Sequence, residues 1–124
     1  MRKDVACILL AGGSGSRMAG DQPKQFVRIA GKTILEHSLG ALRQHLPLVR
    51  IVVTAPFADV DKVARMFKHD PLVQVIAGGV SRQASTLKGL KALSEDAPLN
   101  ILIHDGARPF LDGRTLSDVM EALE

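Results

Sequence analysis

Residues 9–24 read Leu-Leu-Ala-Gly-Gly-Ser-Gly-Ser-Arg-Met-Ala-Gly-Asp-Gln-Pro-Lys. An apolar run leads into a glycine-rich segment, and two cations, Arg17 and Lys24, follow it. Because glycine has no Cβ, backbone N–H groups in such a segment can crowd around an anion. The stretch therefore predicts a cradle for a triphosphate, with two positive charges placed to stabilise a reacting phosphate.

Two commoner glycine signatures do not fit this segment. The dinucleotide fingerprint Gly-x-Gly-x-x-Gly, counted from Gly13, places Met18 where its third glycine belongs. A P-loop requires Gly-Lys-Ser or Gly-Lys-Thr, and no lysine follows a glycine in this segment. A tight turn flanked by solvated cations remains the plainer interpretation, but the combination of glycines, arginine and Pro-Lys favours nucleotidyl transfer.

The fold class follows from apolar runs that alternate with helical patterns. The runs cover residues 5–11, 51–55, 73–77 and 101–104, and each is continuous, which is typical of parallel strands covered on both faces. Thr33 and Glu36 form a predicted capping box that opens a helix to about Gln44. Further apolar spacings predict helices over 60–67 and 116–123, and Ser81 caps another whose buried side we expect to be Ala84, Leu87 and Leu90.

This β-α order predicts a Rossmann-like three-layer α/β sandwich of the nucleotidyltransferase type, with a mainly parallel sheet and right-handed crossovers. We expect one nucleotide-binding domain over 1–124, incomplete at the C-terminus because the chain stops inside a helical pattern at Glu124. Net charge is only +3, and Trp and Tyr are absent, which argues against a nucleic-acid partner. No run is long enough to cross a membrane, and the one cysteine, Cys7, lies in an apolar run, so we expect a cytoplasmic protein with Cys7 buried.

Other polar segments follow the predicted strands, and ligands bind at the carboxyl ends of such sheets. Asp105 comes directly after the fourth strand, where its carboxylate could hold Mg²⁺ against phosphates or simply make a turn with Gly106. Arg108 could face the same ligand or form a surface ion pair. After the third strand come Gly78-Gly79, with Arg82 and Ser85 in the next helix, which could read a base edge or only begin that helix.

With these residues in place, the chain resembles the cytidylyltransferase of the methylerythritol phosphate route to isoprenoids. The resemblance is carried by Leu-Ala-Gly-Gly-Ser-Gly-Ser-Arg-Met at 10–18, Pro-Lys-Gln-Phe at 23–26, Ile-Leu-Glu-His-Ser at 34–38, Gly-Gly at 78–79 with Arg82 and Ser85, and Ile-His-Asp-Gly-Ala-Arg-Pro at 103–109. It implies transfer of CMP from CTP to 2-C-methyl-D-erythritol 4-phosphate, a polyol phosphate, with release of pyrophosphate. It also implies Mg²⁺ as the cofactor and a homodimer.

The resemblance also implies residue roles. Ala11, Gly12, Gly13, Ser14 and Gly15 would line the triphosphate, and Arg17 and Lys24 would be catalytic, stabilising the pentacoordinate α-phosphate. Gly79 and Ser85 would contact cytosine, Asp105 would serve the metal, and Arg108 would support the nucleotide site, which Arg82 and Gly106 complete. The family usually has alanine at position 106, and its chain continues well beyond position 124 with a dimerisation arm and a further active-site lysine.

Three alternatives share part of this pattern. A sister cytidylyltransferase acting on ribitol 5-phosphate has a similar glycine segment, Pro-Lys and Asp-x-x-Arg-Pro. Sugar-phosphate uridylyl- and guanylyltransferases share the glycine segment but less of the rest. A catalytically incompetent nucleotide-binding fragment is the alternative from another class.

Overall fold

The computed structural model describes residues 2–11 and 24–106. Along the chain the elements are β1 (Arg2–Leu10), a 3₁₀ helix (Lys24–Phe26), β2 (Arg28–Ile29), β3 (Lys32–Thr33), α1 (Ile34–His45), β4 (Val49–Ala55), a second 3₁₀ helix (Phe57–Asp59), α2 (Val60–Met66), β5 (Val73–Ala77), α3 (Arg82–Leu93) and β6 (Asn100–Asp105). No helix among these residues is long and apolar enough to span a bilayer.

Four strands form one sheet in the order β5-β4-β1-β6, and each neighbouring pair is parallel. This confirms the predicted mainly parallel sheet. The bounds of β5 agree with the sequence pattern at both ends, and β1, β4 and β6 begin slightly earlier than predicted. The helix predicted over 116–123 lies outside the described residues.

Helices cover both faces of the sheet, which explains why the strands read as continuous apolar runs. On one face Leu35 and Leu42 of α1 and Val63 of α2 pack with Cys7 and Leu9 of β1. On the other face Leu93 of α3 packs with Ile8 and Val52. Over residues 5–10, alternate side chains of β1 therefore enter two different cores, so this part of the strand has no solvent-facing side.

The predicted capping box at the start of α1 is present. The Glu36 amide donates to Thr33 Oγ1 at 3.1 Å, and Glu36 Oε1 accepts from the Thr33 amide at 3.0 Å. These two bonds satisfy backbone donors that the first turn of a helix leaves without partners. Ser81 likewise caps α3, since its hydroxyl accepts from the Ala84 amide.

The predicted buried side of α3 is wrong. Leu87 and Leu90 are 53% and 39% exposed, and the helix instead buries Ser85, Gly89 and Leu93. Gly89 is the reason, because a Cβ at that position would lie 2.8 Å from Ile8 Cδ1. The helix therefore lies against the sheet through Ser85, Gly89 and Leu93, and Leu87 and Leu90 remain exposed.

The short hairpin of β2 and β3 was not predicted from the sequence. Arg28 pairs with Thr33 and Ile29 with Lys32, which leaves Ala30-Gly31 as a two-residue turn. Both turn residues have positive φ, 54° and 84°, as the tight hairpin turns require. Glycine adopts this conformation readily but alanine does not, so Ala-Gly is a weak turn signal.

Cys7 is fully buried in the middle of β1, as predicted. Burial raises the pKa of its thiol from 9.0 to about 12, and the nearby Arg43 charge opposes this only in part. An unfolded chain would lose this proton near the ordinary thiol pKa, whereas the folded chain keeps it.

The pH dependence of stability should reveal this retained proton. Between pH 9.0 and about 12 the folded state binds more protons than the unfolded state, so its stability falls as pH rises. Urea unfolding across this window should give a slope steeper for wild type than for Cys7→Ala by up to about 1.4 kcal/mol per pH unit. All other side chains are the same in the two proteins, so the difference in slope isolates Cys7; parallel slopes would show that Cys7 is not the cause.

Candidate functional site

The strand order reverses beside β1. The chain runs from β1 to β4 and β5 on one side and then returns to place β6 on the other side. Leu10 pairs with Asp105, and the Gly106 amide donates to the Leu10 carbonyl at 2.8 Å. The segment after β6 therefore starts beside the point where the glycine segment leaves β1, and such reversal points are where open parallel sheets bind ligands.

Ala11 is the residue at which the glycine segment begins, and it is held on two sides. Its amide donates to the Thr54 carbonyl at 2.7 Å, and its carbonyl accepts from Gln25 Nε2 at 2.9 Å. The other residues predicted to bind phosphate in this segment lie outside the described residues, so their roles stay predictions. They are Gly12, Gly13, Ser14, Gly15 and Arg17.

Lys24 opens a single 3₁₀ turn and is half-buried. The next two residues, Gln25 and Phe26, are buried, and Phe26 joins the core that includes Ala11 and Leu35. Lys62 Nζ lies 4.1 Å from the centroid of the Phe26 ring, a cation–π contact that brings a second lysine to this turn. The turn thus carries Lys24 at its start and is anchored by the residues that follow.

Gly78 and Gly79 form a close contact with the start of α3. The Gly78 amide donates to the Ala55 carbonyl, and the Gly79 amide donates to Ser85 Oγ at 2.9 Å. A Cβ on Gly78 would lie 2.7 Å from Ser85 Oγ, and one on Gly79 would lie 2.4 Å from Ala84 Cβ. Ser85 therefore fastens this loop to the helix, and the predicted contacts of Gly79 and Ser85 with a base remain predictions.

The structure does not bring all the predicted residues together. Gly78 and Gly79 follow β5, which is two strands away from β1, or about 10 Å at the usual strand spacing. Arg82 is exposed on α3, where it borders a shallow surface groove of about 430 Å³ with Leu87 and Leu90. Arg108 lies outside the described residues.

Asp105 is the last residue of β6, and Gly106 follows it. Asp105 is half-buried, and the described residues contain no group of three His, Cys, Asp or Glu side chains that could hold a metal by themselves. Gly106 is tightly enclosed: a Cβ there would lie 2.8 Å from Leu35 Cδ1 and 3.0 Å from the Leu10 carbonyl oxygen. An alanine at this position would thus press on Leu35 and on the Leu10 carbonyl.

A second cavity, of about 460 Å³, lies beside the C-terminal half of α1 and the α2–β5 connection. Arg43 is the central polar residue of this cavity, but it is already engaged. It pairs with Asp70 at 2.8 Å and donates to the Leu46 and Val49 carbonyls. These contacts join α1 to β4, so Arg43 serves the fold at this cavity. We therefore place the site at the carboxyl ends of the sheet strands, after Leu10, Ala55, Ala77 and Asp105, and refer to this region as the carboxyl edge.

Sequence reasoning missed two polar residues that shape this edge, Gln25 and Ser38. Ser38 is fully buried and its hydroxyl donates to the Gly106 carbonyl at 2.7 Å. The sequence contains a signal for Ser38, since it falls on the apolar face of α1 between Leu35 and Leu42. Nothing in the sequence signals that Gln25 is buried.

These features define a class, an α/β protein with a parallel sheet whose strand order reverses beside a glycine segment. The family model for 2-C-methyl-D-erythritol 4-phosphate cytidylyltransferase matches residues 5–124. The chain therefore belongs to this family, which confirms the family predicted from the motifs.

Individual relatives agree with the family match. The chain is 37% identical over 122 residues to the 2-C-methyl-D-erythritol 4-phosphate cytidylyltransferase of Photobacterium profundum, covering 98% of this chain and 52% of the relative. It is 40% identical over 120 residues to the protein of the same name from Thermobifida fusca, covering 94% and 48%. The crystal structure of 4-diphosphocytidyl-2C-methyl-D-erythritol synthase from Anaerococcus prevotii matches with a TM-score of 0.78 at 26% identity, covering 96% of this chain and 50% of that one. The chain thus spans about half the length of these relatives.

Two glycines give a matched test of the loop after β5. Gly79→Ala should lower the free energy of unfolding by about 1–3 kcal/mol, because the new methyl group meets Ala84 and the loop must shift. Gly40→Ala lies in the interior of α1 with nothing within 4 Å of the new Cβ, and it should raise stability by about 0.5–1 kcal/mol. Urea unfolding measures both; a Gly79→Ala protein as stable as wild type would show that the loop tolerates the methyl group.

Proposed function

We propose that the protein transfers CMP from CTP to 2-C-methyl-D-erythritol 4-phosphate and releases pyrophosphate, a step of isoprenoid precursor biosynthesis. Family membership supports this reaction class. The observation that carries it structurally is the pairing of Leu10 with Asp105, which sets a carboxylate beside the start of the glycine segment. The turn that carries Lys24 is bonded to the same point through Ala11.

The reaction needs no protein nucleophile. An ionised phosphate oxygen of the acceptor attacks the α-phosphorus of CTP, a new P–O bond forms, and the bond to the bridging oxygen of pyrophosphate breaks. The protein must therefore align the two substrates and neutralise negative charge on the α-phosphate. Lys24 and Arg17 are the residues we assign to that charge, and a fixed donor of this kind is worth about 3 kcal/mol of barrier.

Asp105 is the residue that would hold Mg²⁺. Its half-buried carboxylate at the end of β6 offers the hard oxygen ligand that this ion prefers. One carboxylate is enough for this role, since Mg²⁺ is commonly held by one or two carboxylates together with substrate phosphates and water. When bound, the ion would supply positive charge to the phosphates of CTP.

The proposal also includes a homodimer, as the resemblance implies, and a cytoplasmic location, as expected from the sequence. The family match supports methylerythritol phosphate over ribitol phosphate as the acceptor.

A substrate panel tests the reaction. Pyrophosphate release by the full-length protein should occur with CTP and 2-C-methyl-D-erythritol 4-phosphate, should be far slower with UTP or GTP, and should stop when EDTA removes Mg²⁺. Faster release with D-ribitol 5-phosphate would reassign the acceptor. Tight CTP binding without release would identify a nucleotide-binding module instead of an enzyme.

Lys24 provides the test of mechanism. Lys24→Ala should lower kcat about 100-fold or more, because a charge that stabilises the α-phosphate in the transition state is lost. Lys91→Ala is the matched control, since Lys91 is exposed near the C-terminal end of α3 and should leave kcat unchanged. Near-normal turnover of Lys24→Ala would remove Lys24 from the mechanism.

A further inference from the structure

Gln25 is a buried polar side chain at the predicted active site. Only 4% of the residue is exposed, and its Nε2 donates to the Ala11 carbonyl, fourteen residues earlier in the chain, at 2.9 Å. A buried amide without hydrogen bonds costs free energy, so this bond is a fixed feature of the fold. It joins two segments that are separate in sequence.

Both ends of this hydrogen bond lie next to predicted catalytic elements. Ala11 is the first residue of the predicted triphosphate cradle, and its own amide is fixed to the Thr54 carbonyl of β4. Gln25 directly follows Lys24 in the 3₁₀ turn. Holding the amide of Gln25 at Ala11 therefore sets the distance from the Lys24 backbone to the end of β1.

The other contacts of the turn hold its far side. Phe26 is buried in the core, and the Val27 amide donates to the Lys24 carbonyl at 3.2 Å. The Ile34 amide then donates to the Val27 carbonyl at 2.9 Å, which ties the turn to the start of α1. These contacts anchor the turn in the core and at α1. Within residues 2–11 and 24–106, the hydrogen bond from the turn to Ala11 is the one donated by the Gln25 amide.

We propose that Gln25 is a positioning residue for Lys24. Its side-chain amide holds the turn against Ala11 and thereby places the Lys24 ammonium for the α-phosphate of CTP. Gln25 itself does not touch the substrate. The role rests on the proposed function, because it acts only through Lys24.

A double-mutant cycle in the full-length protein tests this role. Gln25→Met keeps the length of the side chain but removes the donor, and it should lower kcat about 10- to 100-fold, as expected for a misplaced charge. The KM for CTP should change less than about threefold, because the loss falls on the transition state. In a Lys24→Ala background the same substitution should lower kcat less than about threefold, since the group it positions is absent.

Two further variants serve as controls, one for failure of Gln25→Met to fold and one for a general loss of stability. Gln25→Asn keeps an amide but is one methylene too short to reach the Ala11 carbonyl, so we expect the same loss of kcat as for Gln25→Met. It takes the place of Gln25→Met in the cycle if Gln25→Met does not fold. Asp70→Asn weakens the ion pair with Arg43 at the far end of α1, and it should lower Tm but leave kcat unchanged.

The outcomes separate the two proposals. Wild-type protein without cytidylyl transfer would overturn the proposed function and this role with it. An active wild type whose Gln25 variants keep kcat within about twofold would overturn only the positioning role. An equal loss in the wild-type and Lys24→Ala backgrounds would also overturn it, because Gln25 would then act independently of Lys24.

Discussion

Strand β1 is the element on which the rest of the described structure depends. It is hydrogen-bonded to β4 on one edge and β6 on the other, and its side chains alternate between the cores under α1 and α3. Over residues 6–10 it is paired on both edges and buried on both faces, so a shift of this part would break a ladder or open a cavity. The glycine segment therefore leaves from a rigid point.

Side chains with polar groups extend this rigidity to the loops at the carboxyl edge. Gln25 bonds the Lys24 turn to Ala11, Ser38 bonds the end of β6 to α1, and Ser85 bonds the loop after β5 to α3. Each bond joins a buried side chain to a backbone group, so leaving it unmade would cost desolvation without compensation. The edge is thus shaped by a set of buried donors and acceptors, in addition to the residues predicted to touch substrate.

The sequence allowed much of the fold to be predicted, and the failures have a common cause. Continuous apolar runs predicted the strands, and Thr33 with Glu36 predicted the start of α1, because these signals are local and strong. The buried side of α3 was predicted wrongly, because Gly89 against Ile8 decides it and a glycine carries no hydrophobic signal. The Ala30-Gly31 turn was missed because its two positive φ angles come from pairing of the flanking strands.

For the candidate site, the sequence by itself determined the residue types and their order: glycines, two cations and a carboxylate after successive strands, in a pattern specific enough to predict the family. Only the tertiary structure decided which of them are neighbours. The reversal of strand order places Asp105 beside Leu10, and the buried amide of Gln25 brings the Lys24 turn to Ala11. Neither contact is local in the chain, and both depend on which strands pair and which polar groups are left to satisfy, which no spacing in the sequence records.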